Sequence, residues 1–404
     1  MDLHLPLGDN MSRRIVYLDH TAVLSGGELA LLRILPYVEG IPHVILAQHG
    51  PLESKLREAG VSVEVLAMPK EAVGLSRNRV SFRGLNPKIA WHTARYTVRL
   101  AQRLRHIRPD LVHTNSLKSA LYGGVAGRLA GVPVVWHIRD RIASDYLPTP
   151  AVVMVRLLAL VLPARVIANS DATLNTLPRR VRRYDSVLAS PVSFRGSIPD
   201  AVVSGPATVR RLSPRSGVTV GMVGRLAPWK GQDVFLRAFA EAFAATDTCA
   251  RIVGAPLFGE DAYAISLERL AESLGISAQV SFVGFREDVW SEYGQIDILV
   301  HASLIPEPFG QVVIEGMAAG TAVIAAAAGG PLEIVTPGVD GLLVPPGDVR
   351  GLAQAMLRLA GDAALRGRLE LEGARTAAKY RPEVVGPRLS AVHAAVLAKS
   401  RGAG

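Results

Sequence analysis

The chain has 404 residues, enough for two domains of ordinary size, and its 49% hydrophobic and 20% charged content is that of a globular protein. A single cysteine, Cys249, excludes a disulfide framework and fits a reducing compartment. The net charge of +10 is uneven: residues 1–216 carry 29 basic and 15 acidic side chains, and residues 217–404 carry 16 and 20, so the first half is expected to meet an anionic partner.

The first residues, MDLHLPLGDN, lack the basic start and the apolar run of a signal peptide, so we expect none and predict a cytoplasmic location. A strand is predicted over 14–18, followed by Gly26, Gly27 and an apolar-periodic helix over 29–38. Glycines between a strand and a helix let a ligand approach the backbone and the amides of the helix start. A plain glycine turn is the alternative interpretation.

Strands over 43–47 and 61–65 and a helix over 52–59 precede a strongly basic stretch, residues 75–108, which contains nine basic residues and no acid. Its latter part, 88–107, has a helical apolar pattern. The stretch is either a solvated helix face or a contact with an anionic membrane surface or a phosphate-bearing acceptor. Nucleic acid is not expected as a partner, because we find no aromatic interleaving of the basic residues.

Two further strands, predicted at 109–113 and 132–138, end in polar residues. The carboxyl ends of parallel strands share one sheet edge, where ligands bind. The side chains expected to converge there are His113, Asn115, His137, Arg139 and Asp140. The longest apolar run, 151–163, is shorter than the roughly 20 residues of a membrane span, so it is predicted to be a buried helix. A strand over 165–169 is expected to close this half of the sheet.

The composition shifts to proline, glycine and serine near residues 190–217, which predicts a linker. We therefore expect a first domain over 12–195, a linker over 196–216, a second domain over 217–385 and a final helical segment over 386–404. The second domain restarts with a strand at 218–223, followed by Arg225, Lys230 and a helix over 232–244. Two cations at a helix start suit a diphosphate, although two exposed cations in a loop are the alternative.

Residues 306–320 follow a predicted strand at 296–300 and read PEPFGQVVIEGMAAG. Pro308 suits the first turn of a helix, which would place Glu307 at its start and Glu315 about two turns later. The two carboxylates would then be separated by roughly 10 Å along the helix axis, with amides of Gly310, Gln311 and Val312 available to a phosphate. An ordinary buried helix with one capping and one solvated glutamate is the alternative.

The segment EPFGQVVIEGMAAG resembles the donor-site signature of retaining GT-B glycosyltransferases of the family 4 type. The resemblance implies an α/β fold of two Rossmann-like domains facing a central cleft, with the final helix packing back on the first domain. It also implies a hexosyltransferase-type reaction with a nucleoside-diphosphate sugar as donor. The second domain would hold this donor and the first an acceptor in cell-surface polysaccharide or glycolipid synthesis.

Site residues follow from the resemblance, position by position. Donor contacts are expected from Gly26, Gly27, Arg225, Lys230, Phe285, Arg286, Glu307, Phe309, Gly310, Gln311, Val312 and Glu315. Catalytic roles are expected for His137, Glu307, Arg225 and Lys230, and acceptor contacts for His113, Asn115, Arg139 and Asp140. The donor base, the sugar, the acceptor and the catalytic base stay open at this point.

The sequence contains no Asp-x-Asp pair, so we predict a metal-independent enzyme without a cofactor. A nucleotide-sugar epimerase or a pseudo-glycosidic coupling enzyme is the alternative on the same fold. A non-catalytic sugar-nucleotide or membrane-binding protein is the third reading. The basic stretch further predicts peripheral attachment to the inner face of a membrane.

Overall fold

The computed structural model describes residues 13–69, 87–182, 186–193, 217–257 and 259–401. The chain divides into two compact units. The N-terminal unit consists of Met1–Pro191 together with Pro382–Gly404, and the C-terminal unit consists of Val192–Arg381. The last helix therefore belongs to the N-terminal unit. Residues 75–86 of the basic stretch and the whole expected linker, 196–216, lie outside the described residues.

The N-terminal unit contains a parallel sheet of seven strands in the order β3-β2-β1-β4-β5-β6-β7. Its strands are β1 (Arg14–Asp19), β2 (Ile41–Leu46), β3 (Ser62–Val65), β4 (Leu111–Thr114), β5 (Val134–Ile138), β6 (Arg165–Ala168) and β7 (Ser186–Val187). The chain runs outward from β1 to β3 and returns at β4, so the strand order reverses between β1 and β4. The expectation that the strand at 165–169 closes the sheet was wrong, because β7 pairs with β6 beyond it.

Helices cover both faces of this sheet, which explains why most side chains of its central strands are apolar and buried. The helices of the first 191 residues are α1 (Gly26–Ile34), α2 (Pro51–Glu58), α3 (Pro87–Ile107), α4 (Leu117–Ala130), α5 (Thr149–Ala159), α6 (Asp171–Leu174) and α7 (Arg179–Arg182). Buried side chains of α3, α4 and α5 pack on one face, around Trp136. Those of α1, α2 and the last helix pack on the other, around Tyr17.

Helix α5 differs from the expected buried helix. Only Val152, Val155 and Ala159 of α5 are buried. By contrast, Val153 is 52% exposed and Leu157 is 59% exposed. A continuous apolar run cannot distinguish a buried helix from a helix with one open apolar face, which explains the error. No described helix is both long and apolar enough to span a membrane.

The C-terminal unit contains a second parallel sheet, of six strands in the order β10-β9-β8-β11-β12-β13. Its strands are β8 (Thr219–Val223), β9 (Cys249–Val253), β10 (Val280–Gly284), β11 (Ile298–His301), β12 (Ala322–Ala326) and β13 (Leu342–Val344). Here the strand order reverses between β8 and β11. The two parallel, helix-covered sheets confirm the predicted class of two Rossmann-like α/β units.

The remaining helices are α8 (Gln232–Phe243), α9 (Asp261–Ser273), α10 (Val289–Tyr293), α11 (Gln311–Ala318), α12 (Pro331–Ile334), α13 (Val349–Gly361), α14 (Ala363–Ala378) and α15 (Pro382–Arg401). Helix α11 starts later than predicted: Pro308 lies in the preceding loop, and Gly310 is the N-cap with φ 96° and ψ 50°. Glu307 consequently precedes the helix by four residues, and Glu315 lies about one turn into it rather than two.

Candidate active site

The polar residues of the C-terminal unit gather at the carboxyl edge of its sheet, on both sides of the point where strand order reverses. Arg225 and Lys230 follow β8, and Glu307 follows β11. Such a reversal leaves a crevice outside the strand ends, where open α/β sheets bind ligands.

The loop after β8 is held tightly against the chain that follows β11. A 3-10 turn over Pro228–Lys230 ends at Gly231, whose φ of 76° suits glycine. A Cβ at Gly231 would lie 2.1 Å from the Ala302 carbonyl oxygen, so no larger residue fits without movement. Leu304 N also donates to the Trp229 carbonyl oxygen at 2.8 Å. These contacts fix the backbone position of Lys230 relative to the loop carrying Glu307.

Partly buried Lys230 and buried Glu307 form an ion pair with an Nζ–Oε1 distance of 2.5 Å. Ser303 Oγ also donates to Glu307 Oε1. Burial alone would raise the pKa of Glu307, but the charge of Lys230 and the ring of His301 outweigh it and hold the pKa well below its ordinary value. Glu307 is therefore an ionised acceptor of hydrogen bonds at neutral pH.

His301 is a member of this cluster that we did not predict. Its Nε2 lies 3.0 Å from Glu307 Oε1, and its Nδ1 accepts from Ala326 N at 3.4 Å. An Nδ1 that accepts leaves the proton on Nε2, facing the carboxylate. The sequence could have indicated His301, because it is the last residue of β11 and polar residues at strand ends were used to predict the site in the N-terminal unit.

Arg225 is linked to the pair through an aromatic ring. The Trp229 ring lies 5.6 Å from the Arg225 guanidinium carbon and 4.5 Å from Lys230 Nζ, both within cation–π range. Arg225 Nε also lies 3.7 Å from Glu260 Oε2. The two expected cations thus share one loop, with an indole ring as a neighbour of both.

Glu315 is buried, at 7% exposure. It accepts from Tyr293 Oη at 3.2 Å and from Gln311 Nε2 at 3.3 Å. In the loop before α11, the Glu307 carbonyl oxygen accepts from Gly330 N at 2.9 Å, which fastens this loop to the loop after β12.

The other expected donor residues are spread along the same edge. Phe309 is buried with its ring 5.9 Å from that of Tyr380, while Gly310 and Val312 lie at the start of α11. Phe285 follows the edge strand β10 and is 68% exposed, and Arg286 Nε lies 3.4 Å from Glu292 Oε1.

In the N-terminal unit the glycine pair opens α1, after the N-cap Ser25. A Cβ on Gly27 would lie 3.3 Å from Arg139 Cδ, whereas a Cβ on Gly26 would meet nothing within 4 Å. Asn115 connects these elements: its Nδ2 donates to the Gly27 carbonyl oxygen at 3.1 Å and its Oδ1 accepts from Arg139 Nε at 3.1 Å. Gly27, Asn115 and Arg139 therefore come together where strand order reverses between β1 and β4.

His113, which we expected on the acceptor side, is a buried residue. It is 1% exposed, inside β4, and its ring meets those of His137 and His393. His137 is equally buried and, like His113, is the last residue but one of its strand, and its ring also interacts with the backbone of Leu188. Asp140 is half-buried and accepts from Tyr146 Oη at 2.9 Å.

A buried acidic pair that we did not predict lies beside these residues. Asp19 accepts from Asn115 Nδ2 at 2.7 Å and from His20 N at 2.7 Å. Burial and then the charge of Asp19 raise the pKa of Glu28 to about 7. Among the described residues, Asp19, His20 and Glu28 form a group whose ligand atoms lie within 4.8 Å of one another. The positively charged Arg139 guanidinium interacts electrostatically with the carboxylates of Glu28 and Asp19.

Two protein families match the chain. The family described as "Glycosyl transferases group 1" matches residues 210–375, and "Glycosyltransferase Family 4" matches residues 52–186. The first range contains Arg225, Lys230 and Glu307, and the second contains Asn115, His137 and Arg139, whereas Gly26 and Gly27 precede both ranges.

Individual proteins match as well. The chain is 32% identical over 287 residues to the D-inositol 3-phosphate glycosyltransferase of Nocardioides sp. (64% of this chain, 61% of the relative). It is 31% identical over 166 residues to the lipopolysaccharide core biosynthesis glycosyltransferase LpsE of Rhizobium meliloti (41% and 46%). The chain thus covers less than two thirds of either relative. Its fold is similar to a crystal structure of Anabaena HepE in complex with UDP and glucose, with TM-score 0.78, 26% identity and coverage of 94% and 99%.

Proposed function

Because the chain belongs to the GT-B glycosyltransferases of the family 4 type, we propose that it is a retaining enzyme that moves a sugar from a nucleoside-diphosphate sugar to an acceptor hydroxyl. The C-terminal unit is the donor side of this proposal and the N-terminal unit the acceptor side. The observation that carries it is the Lys230–Glu307 ion pair beside the strand-order reversal of the C-terminal sheet.

The chemistry follows from the charges at this edge. A leaving nucleoside diphosphate gains negative charge as the glycosidic bond breaks, and fixed cations lower the barrier by stabilising that charge. Lys230, Arg225 and the amides at the start of α11 are the groups proposed for this task. No metal ion is needed for the charge balance, so we propose metal-independent transfer without a cofactor.

Glu307 and Glu315 would bind the two ends of the donor. Ionised Glu307 accepts hydrogen bonds from sugar hydroxyls, while Glu315 accepts them from the ribose hydroxyls. A diphosphate that attracts Lys230 leaves Glu307 with Ser303 and His301 as its remaining partners, so the carboxylate stays oriented. The UDP and UDP-glucose complexes of Anabaena HepE support a nucleotide sugar as the donor.

The test is a transfer assay with matched variants. Lys230→Met and Glu307→Gln are expected to lower kcat/KM by about 100- to 1000-fold, the usual effect of removing one transition-state contact. Lys55→Met and Glu58→Gln, at an exposed ion pair of α2, are the matched controls and should change it less than twofold. Wild-type turnover in both site variants would overturn the proposal. An epimer formed from the donor without acceptor would favour the epimerase instead, and transfer lost in EDTA would refute metal independence.

A membrane surface is the second proposed partner, contacted by the described part of the basic stretch. Helices α3, α4 and α5 all cover one face of the N-terminal sheet, and none contains an Asp or Glu residue. Together they contain eight Lys and Arg residues, which are Lys88, Arg95, Arg99, Arg103, Arg105, Lys118, Arg128 and Arg156. A basic face with exposed apolar side chains suits an anionic bilayer, which offers both a charged surface and an apolar interior.

Two details add to this. Arg95 lies over the Trp91 ring at 5.3 Å, so the basic stretch does contain an interleaved aromatic residue, contrary to our expectation. Trp91 is 56% exposed, and tryptophan favours the membrane interface. On α5, Leu157 and Val153 remain open to solvent.

Vesicle sedimentation tests the membrane contact. We expect binding to vesicles that contain acidic lipid, weaker binding to neutral vesicles, and a several-fold loss of binding in Leu157→Gln. Leu357→Gln, on α13 of the C-terminal unit and 46% exposed, is the matched control and should bind as the wild type. Equal binding to neutral and acidic vesicles would remove this part of the proposal.

A further inference from the structure

Helix α10 (Val289–Tyr293) contacts two residues that are expected at the nucleoside end of the donor. Tyr293 Oη donates to Glu315 Oε2 at 3.2 Å, and the preceding residue, Glu292, places its Oε1 3.4 Å from Arg286 Nε. Both contacts lie within the C-terminal unit. One short helix thus connects the carboxylate proposed to bind the ribose with a residue expected beside the base.

Helix α10 has contacts that fix its own position. Asp288 caps it by accepting from Trp290 N at 3.2 Å. Glu292 is buried and accepts from Arg251 Nη2 of β9 at 2.5 Å, which ties the helix to the sheet. Tyr293 is 1% exposed, and its ring centroid lies 5.8 Å from that of Trp290. The hydroxyl of Tyr293 therefore has a defined position in the unit.

The carboxylate of Glu315 receives one of these hydrogen bonds on each oxygen. Gln311 Nε2 donates to Oε1 at 3.3 Å from one turn earlier in α11, whereas Tyr293 reaches Oε2 from a different helix. The last torsion of a glutamate side chain is only weakly restricted by its own bonds, so such donors set the plane of the carboxylate. A carboxylate has about four lone-pair sites, so it can accept ligand hydroxyls in addition to these two donors.

We infer that Tyr293 is a positioning residue, which holds the Glu315 carboxylate in the orientation that accepts hydrogen bonds from the ribose hydroxyls of the donor. This inference rests on the proposed function, because that function assigns the ribose to Glu315. Tyr293 does not touch the nucleotide in this account. Its hydroxyl instead helps the site to distinguish a nucleotide that has ribose hydroxyls from one that lacks them.

Calorimetric titration with two matched ligands tests the inference. One ligand is whichever of UDP, GDP and ADP the wild-type protein binds, and the other is the 2′,3′-dideoxy form of the same nucleotide, which has no ribose hydroxyl to donate. Tyr293→Phe removes only the hydroxyl of the side chain. We expect this variant to raise the Kd of the ribonucleotide about three- to tenfold, the typical effect of one hydrogen bond, and to change the Kd of the dideoxynucleotide less than twofold.

Tyr146→Phe is the matched control. Tyr146 Oη also donates to a carboxylate, that of Asp140, but it does so in the N-terminal unit. The control variant should bind both ligands as the wild type does.

Two results with Tyr293→Phe would overturn the inference. They are an unchanged Kd for the ribonucleotide and an equal rise in Kd for both ligands, since an equal rise is what a purely structural hydroxyl would produce. A wild-type protein that binds the ribonucleotide and its dideoxy form equally well would overturn it without any variant, while leaving diphosphate binding intact. A wild-type protein that binds none of the three diphosphates would refute the proposed function, and this inference with it.

Discussion

Glu307 shows how neighbouring residues set the charge of a single side chain in the C-terminal unit. Its carboxylate is buried, which would favour the protonated form, yet Lys230 and His301 keep it ionised. An ionised, buried carboxylate is stable only while its partners remain. We therefore expect Lys230→Met to destabilise the C-terminal unit as well as to reduce activity, and Glu307→Gln to be the milder change for stability.

The buried histidines predict a pH dependence of stability. Their pKa values are lowered in the folded chain, so the unfolded chain binds more protons below its ordinary histidine pKa of about 6.5. Stability is then complete above about pH 6.5 and is lost as the pH falls. Glu28, whose pKa is raised to about 7, acts in the opposite direction with a single proton.

Urea unfolding at pH 7.5, 6.5 and 5.5 measures this effect. The free energy of unfolding should fall toward pH 5.5. His393→Gln removes about one of the protons taken up on unfolding, so the slope of this free energy against pH should be smaller by about 1.4 kcal/mol per pH unit. An identical slope in wild type and variant would show that His393 is protonated to the same extent in both states.

Among single residues, those at strand ends were predictable and those fixed by tertiary packing were not. Arg225, Lys230 and Glu307 stand in a recognisable local pattern, and the structure brings Lys230 and Glu307 into contact. His393 lies 280 residues from His113 in the chain, and nothing in its local sequence indicates that contact. The roles of Arg225, Lys230 and Glu307 in binding stay predictions until tested.

At the scale of elements, the loop between β8 and α8 positions the site. Gly231 ends the 3-10 turn and starts α8 in a left-handed conformation, against the Ala302 carbonyl. The left-handed backbone conformation alone would cost alanine about 1–3 kcal/mol. We expect Gly231→Ala to destabilise the protein by more than this, because the added Cβ also collides with the Ala302 backbone.

Thermal unfolding tests this, with Gly367→Ala as the matched control. Gly367 lies inside α14 with nothing within 4 Å of an added Cβ, so alanine there should stabilise by about 0.5–1 kcal/mol. If Gly231→Ala unfolds at the wild-type temperature, the loop is not held as described.

The start of α11 shows where element prediction fails. Proline at 308 is compatible with a first helical turn, but the loop from Glu307 to Phe309 is fixed by its contact with Gly329 and Gly330 after β12. A contact with another part of the chain thus overrides the local preference. The strands themselves were predictable, because a parallel sheet covered on both faces requires continuous apolar runs.

At the scale of the whole molecule, two parallel sheets were predictable from alternating strands and helices and from the resemblance of the donor segment. The placement of the last helix in the N-terminal unit rests on packing, with Val385 and Leu389 in its core. The charged groups discussed above are divided between the same two units. The acid-free helices lie in the N-terminal unit, and the pair proposed to meet a diphosphate lies in the C-terminal unit.

The central claim is that a nucleoside diphosphate binds the C-terminal unit at Lys230. Calorimetric titration with UDP, GDP and ADP tests it directly. We predict that at least one of the three binds the wild-type protein, that Lys230→Met loses this binding, and that Lys55→Met keeps it. A wild-type protein that binds none of them, or a Lys230→Met variant that binds as tightly as the wild type, would contradict the account.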